Sequence, residues 1–266
     1  MDSLRLVPYV IELLTPKQSD DDFERRLEVF RERYLRILAA GAIVSIPDNP
    51  MGNVHFTALE VADFLELPLD TDRTLLHLNS FHLKSDLEAF LRGAAERGVK
   101  HMLVVSGDGG PRLPRLEPVD VGMDVKTVTS VALLQYIERE FPRVFTCGVA
   151  FNQYEPPERE IERLRRKLDA GARFVITQPV IGHDPVVASL RQFALPVFVG
   201  AWMSKRMDLL FDCVGVEQRD DVQYDPVENL AHLERLYPDF GLYLALLSFK
   251  RDWSDLFTRR LPGAAA

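Results

Sequence analysis

Eight short apolar runs, alternating with segments of helical periodicity, constrain this chain more than any other feature. They begin near Tyr9, Ala42, Thr74, His101, Phe145, Phe174, Pro196 and Leu242. None is followed by an obvious hairpin turn, so successive strands are expected to pair in parallel across intervening helices. The clearest unit runs from Glu158 to Pro179. Ile161, Leu164 and Leu168 recur at helical spacing, Asp169-Ala170-Gly171-Ala172 returns the chain, and Phe174–Thr177 is an apolar run suited to a strand buried on both faces. Eight such strands in 266 residues point to one α/β domain over residues 1–266, a closed (β/α)8 TIM barrel. An open doubly wound sheet is the alternative, but no G-x-G-x-x-G stands at a strand-to-helix turn.

Between the strands, Phe23, Leu27, Phe30, Tyr34 and Leu38 mark one face of a long amphipathic helix. Further helices are expected over Val54–Glu66, over Lys126–Glu140, over Pro226–Leu236, and from a capping box at Ser85 and Glu88 to a stop at Gly98. Met203 to Phe240 otherwise reads as the least regular stretch, and the tail Leu261–Ala266 as loose.

A net charge of −8 argues against nucleic acid or an anionic membrane surface as partner and favours a small molecule. Cys147 and Cys213 are the only cysteines and lack the close spacing of a metal or redox motif, which suits a cytoplasmic setting. The N-terminal stretch reads as neither secretion signal nor membrane span.

In a barrel of this kind chemistry sits at the carboxyl ends of the strands. There the sequence gathers Glu12, Asp48, His77, Asp108, Asn152, Gln178, Trp202 and Ser248. Glu12, inside the apolar run VIELL, is costly to desolvate; it is either half of a buried ion pair or an acid whose raised pKa suits proton donation. Asp108 lies in the glycine-rich turn SGDGGP, where its charge would repel a phosphate and suit a cationic or donor-bearing ring; the same turn is also an ordinary loop. The histidines lack zinc spacing, no G-x-S-x-G occurs, and Lys17, Lys205 and Lys250 fall after strands rather than within them.

With these pieces assembled, the chain from about Val10 to about Ser248 resembles the methylenetetrahydrofolate reductase family. VIELLTP is similar to its F-E-F-F-P-P strand, Ser106-Gly107-Asp108 to its R-G-D, GVAFNQYEPPE to its G-V-A-x-Y-P-E-x-H-P-E, and Lys167 to Gln178 to its K-x-D-A-G-A-x-x-x-I-T-Q. The resemblance implies a TIM-barrel flavoenzyme that reduces 5,10-methylenetetrahydrofolate to 5-methyltetrahydrofolate with NADH or NADPH. On that model Glu12 is the general acid, Asp108 stabilises the folate cation, and Gln178 bonds folate. His77, Gly107, Arg166 and Lys167 align with positions that hold FAD, the last two facing its phosphates. Departures cluster on the flavin side: Pro47 and Asp48 replace threonine and tyrosine, Ser106 an arginine, Asn152 a tyrosine, Pro156 a histidine and Glu160 an aspartate, while Ser248 stands for an asparagine near the C-terminus. Ser106, Asn152 and Glu160 remain cofactor-side positions. A folate-linked C1 or methyl-transfer enzyme without flavin, and a non-catalytic folate-binding subunit, stay open, as does a homo-oligomer.

Overall fold

The computed structural model describes residues 9–215, 217 and 224–249. The tail Leu261–Ala266 and Lys250 lie outside them. Strands β1 (Tyr9–Glu12), β2 (Ile43–Ile46), β3 (Thr74–Leu78), β4 (His101–Val104), β5 (Thr146–Phe151), β6 (Phe174–Pro179), β7 (Val197–Trp202) and β8 (Gly241–Ala245) form a closed barrel in sequence order. Every neighbouring pair is parallel, and β8 closes on β1 through Tyr9 opposite Leu242 and Val10 opposite Tyr243. The TIM barrel expected from the sequence is the fold observed.

Side chains alternate across each strand, which divides the core in two. On β1, Tyr9 and Ile11 belong to the outer apolar layer with Leu27, Phe30 and Tyr34 of α1 (Phe23–Ala39). Val10 belongs to the barrel interior with Ile43, Leu75 and Leu103, so Glu12, two residues on, continues the inward face. Deeper in the interior, Phe174 and Phe198 meet edge to face with ring centroids 6.2 Å apart. Glycines make room for them: a Cβ on Gly148 would lie 2.1 Å from the Phe174 ring, and one on Gly241 2.4 Å from the Phe198 ring. The inward stack is therefore apolar through the middle of the barrel, with the buried His101 at the amino end of β4 and Glu12, Ser45 and His77 toward the carboxyl ends.

The helices after α1 are α2 (Ala58–Phe64), α3 (Lys84–Glu96), α4 (Ser130–Glu140), α5 (Pro157–Asp169), α6 (Pro185–Ser189), α7 (Met207–Val214) and α8 (Pro226–Leu236). Three differ from expectation. α3 starts at Lys84 after Leu83, with no side-chain cap, and Ser85 bonds its neighbour Asp86, so the box at Ser85 and Glu88 does not form. The box exists on α2 instead: Thr57 accepts from the Glu60 amide while Glu60 accepts from the Thr57 amide, starting that helix later than Val54. α4 begins at Ser130 because Thr129 is extended. Between β7 and α8 lies α7, a helix that periodicity did not separate from its irregular surroundings.

Candidate active site

The carboxyl end of the barrel has two unlike halves. In the half formed by β1, β2, β3 and β8, Glu12 is half-buried; its Oε2 accepts from the Tyr243 hydroxyl at 3.0 Å and its Oε1 from the Leu246 amide at 3.4 Å. Burial pushes its carboxyl above the usual range, and these two hydrogen bonds only partly oppose it. No cation contributes, so Glu12 is not half of an ion pair among the described residues. Ser45, opposite Glu12 in the β1–β2 register, bonds His77 Nε2 at 2.7 Å and Tyr243 Oη at 3.5 Å. Burial lowers His77 to about 3, so this imidazole is neutral at ordinary pH. Tyr243, buried beside Glu12, is pushed well up by desolvation. His77 thus sits in the Glu12 half.

α7 packs against β6 over the barrel interior. Its Leu210 and Val214 belong to the same interior cluster as Tyr243, Ala245, Ile176 and Trp202, and Trp202 Nε1 donates to the Arg206 carbonyl just before the helix. The Cys213 thiol on α7 is raised by burial and then by the charges of Asp108 and Glu12, which places the helix within electrostatic reach of both acids.

The other half, over β4, β5 and β6, is open. A cavity of about 640 Å³ is lined by Ser106, Gly107, Asp108, Asn152, Glu155, Glu160, Arg163, Arg166, Lys167 and Gln178, together with apolar and hydroxyl side chains. The helix α5 supplies its charged wall, since 160, 163, 166 and 167 fall on one helical face. Glu160, 3% exposed, accepts from the Asn152 amide at 3.1 Å and pairs with Arg163 at 3.2 Å and Lys167 at 3.6 Å. Arg163 also meets Glu155 at 3.3 Å. Lys167, lowered by burial, donates to the Ala150 carbonyl at 2.7 Å. Arg166 is exposed at the rim with no ion pair among the described residues, and the Gln178 carboxamide is unpartnered among them.

Asp108 stands between the halves. It is exposed and accepts from the Met51 amide at 3.1 Å, holding a loop in which Asn49 and Met51 take positive φ of 47° and 55°. The glycines around it serve close approach of two loops: a Cβ on Gly110 would lie 2.2 Å from the Gly52 carbonyl oxygen. Asp48 turns away from the mouth. Its Oδ2 accepts from the Asn79 amide at 3.1 Å and pairs with His82 Nε2 at 2.6 Å, and it raises the pKa of His82 against the burial that alone would lower it.

The structure thus brings Ser106, Gly107, Asp108, Asn152, Glu160, Arg166, Lys167 and Gln178 to one cavity, and sets Glu12 and His77 apart in the drier half. Ser45, Tyr243, Arg163 and α7 were not singled out from the sequence. Arg163 was legible, three residues from both Glu160 and Arg166; so was Ser45, the lone polar residue of β2. No metal-binding group of three or more His, Cys, Asp or Glu occurs among the described residues, and no helix among them is long and apolar enough to cross a membrane.

A family model described as Methylenetetrahydrofolate reductase matches residues 7–194. Among solved structures, an uncharacterised protein from Clostridium thermocellum that binds two copies of 5-methyl-5,6,7,8-tetrahydrofolic acid is 12% identical, with 97% of this chain and 94% of that one covered at a TM-score of 0.60. Oxaloacetate acetylhydrolase in complex with 3,3-difluorooxalacetate is 8% identical, covering 90% and 75%, at a TM-score of 0.51. At these identities the two structures speak for the barrel alone. No curated protein matches.

Proposed function

The chain belongs to the methylenetetrahydrofolate reductase family, and on that premise we propose that it reduces 5,10-methylenetetrahydrofolate to 5-methyltetrahydrofolate with NADH or NADPH. The observation that carries this reading is Glu12: a carboxylic acid without a cation partner, raised by burial, at the carboxyl end of a barrel strand. Such a group holds its proton where an exposed carboxylate has lost it. Glu12 gives that proton to the imidazolidine nitrogen that leaves the bridging carbon. The carbon–nitrogen bond breaks toward that nitrogen, and the bridge becomes an iminium on the other. Hydride from the nicotinamide reaches the same carbon and makes the methyl group, leaving NAD(P)+. Asp108 offers negative charge to the cation, and the free Gln178 carboxamide offers hydrogen bonds to the pterin.

The family implies a flavin, and the open half fits one in its donors. Arg166 is available to a phosphate, Arg163 and Lys167 line the same wall, and Ser106, Gly107 and Asn152 border the cavity. A flavin bound there supplies two-electron hydride relay from the nicotinamide. One observation favours a second reading. Asp108, Glu155 and Glu160 balance Arg163, Arg166 and Lys167, three charges against three, so the wall offers a diphosphate little net attraction. In that reading the protein handles folate without flavin, as a C1- or methyl-transfer enzyme or as a binding subunit. The test is anaerobic incubation with methylenetetrahydrofolate and NADH or NADPH, with and without added FAD, following 5-methyltetrahydrofolate by chromatography. Product that requires a nicotinamide supports the reductase; folate binding with no product under any condition refutes it.

A further inference from the structure

Four polar side chains on four different elements meet in the drier half, and their order is directional. Glu12 Oε2 is 3.0 Å from Tyr243 Oη, Tyr243 Oη is 3.5 Å from Ser45 Oγ, and Ser45 Oγ is 2.7 Å from His77 Nε2. The Tyr243 hydroxyl donates to Glu12 Oε2. The lone pairs of that hydroxyl then face Ser45, whose own proton is free for it only if the serine accepts from the imidazole. With Ser45 donating to Tyr243, the 2.7 Å contact is made by an Nε2–H of His77. We propose that His77, Ser45 and Tyr243 form a one-way hydrogen-bond relay onto Glu12, in which Tyr243 is the positioning residue that aligns the carboxyl group for proton donation.

Several features converge on this arrangement. The barrel register sets Ser45 directly beside Glu12, and β8 returns Tyr243 next to β1. The groups bonded to Glu12 are Tyr243 from β8 and the Leu246 amide of the following turn, with Ser45 from β2 and His77 from β3 behind Tyr243, while the exposed Cys213 of α7 is within reach of its charge only. None is a lysine or arginine. A cation would hold the carboxylate charged; a neutral donor chain orients it and leaves protonation accessible. A neutral imidazole at the far end keeps the chain donating without adding charge. Leu246 takes a positive φ of 55° to aim its amide at Oε1, at 3.4 Å. The shorter bond falls on Oε2 and the longer one on Oε1. His77 thereby acts on the acid rather than on a cofactor in the cavity.

The proposal rests on Glu12 being the acid of the preceding section, and its test separates the two. Full-length protein labelled with 13C at glutamate carboxyls is titrated by NMR, the Glu12 signal being assigned by its loss in Glu12→Gln. The wild type is compared with Tyr243→Phe, which keeps the ring, and with Ser45→Ala. Tyr243→Phe should raise the Glu12 midpoint by about one pH unit, since one donor to the anion is lost. Ser45→Ala should raise it by less and in the same direction. If Tyr243→Phe does not fold, the Ser45→Ala shift decides alone. Unchanged midpoints in the variants that fold overturn the relay. Midpoints that move as stated, in a wild type that makes no 5-methyltetrahydrofolate, leave the relay standing and refute the reductase reading instead.

Discussion

The two halves of the barrel mouth differ in water and in charge. Around Glu12, strands β1, β2, β3 and β8 leave one acid among neutral donors. Over β4, β5 and β6, three acids and three cations line an open cavity of about 640 Å³. Dry surroundings move proton affinity, because removing water penalises the charged form. The charged wall of the open half instead provides paired donors that a ligand's anionic groups can recruit. A reaction that needs both a proton donor and an anionic ligand gains by keeping these tasks apart, since a phosphate beside Glu12 would further resist its ionisation and an arginine there would leave it without a proton to donate at neutral pH.

Removing the acid is the severest way to break this division. Glu12→Gln should cost turnover about 10²- to 10⁴-fold, the usual range for a general acid, while 5-methyltetrahydrofolate affinity changes little. The same variant has a stability signature. Because the folded-state pKa of Glu12 lies above its unfolded value, stability falls as pH rises through the window between them. Urea titrations should find the variant equal to the wild type below the unfolded carboxylate value and more stable than it at neutral pH.

Next in size is Leu210→Ala, which truncates a buried side chain that α7 sends into the interior cluster. A buried leucine truncated to alanine costs about 2–5 kcal/mol. Hydrogen exchange should find the amides of α7 losing protection before those of the strands, and water admitted there should bring the Glu12 midpoint down toward that of an ordinary glutamate. An unchanged midpoint with α7 loosened would mean that α7 is not what keeps Glu12 dry.

On the wet side, Arg166→Ala should weaken a phosphate- or carboxylate-bearing ligand about tenfold, the value of one hydrogen bond to a charged group, and leave the Glu12 midpoint in place. Calorimetry with FAD, NADH and 5-methyltetrahydrofolate, each alone, identifies which of them uses this wall.

The smallest effect concerns His77. Its pKa is about 3 when folded against 6.5 ordinarily, so the unfolded chain takes up a proton that the folded one refuses. Stability is therefore lost as pH falls from 6.5 toward 3, by at most about 1.4 kcal/mol per pH unit. His77→Gln should flatten that limb in urea titrations between pH 6.5 and 5, and an unflattened limb would show that His77 is not held neutral.

The sequence made the barrel legible because a strand buried on both faces must be apolar throughout, and eight such runs have few other arrangements. It also made the wet wall legible: residues 160, 166 and 167 share a helix, where spacing along the chain fixes spacing in space. The dry half is different in kind. Ser45, His77, Tyr243 and Glu12 lie on four strands, and only barrel closure, which sets β8 beside β1, brings Tyr243 to Glu12. α7 was missed for a related reason: in MDLLFDCV a helix that packs on an interior reads much like the tail of a strand. Asp48 does not join the mouth because its partners, the Asn79 amide and His82, lie beyond the next strand and hold it.

The central claim, that one half of the mouth donates the proton while the other holds the ligand, is tested most directly by single-turnover kinetics. Formation of 5-methyltetrahydrofolate is followed over a range of ligand concentrations in Glu12→Gln and Arg166→Ala. The account predicts that Glu12→Gln lowers the saturating rate with little change in the half-saturating concentration. Arg166→Ala should raise that concentration, for whichever ligand it binds, and leave the saturating rate unchanged. Two variants that lose the same quantity would contradict the division.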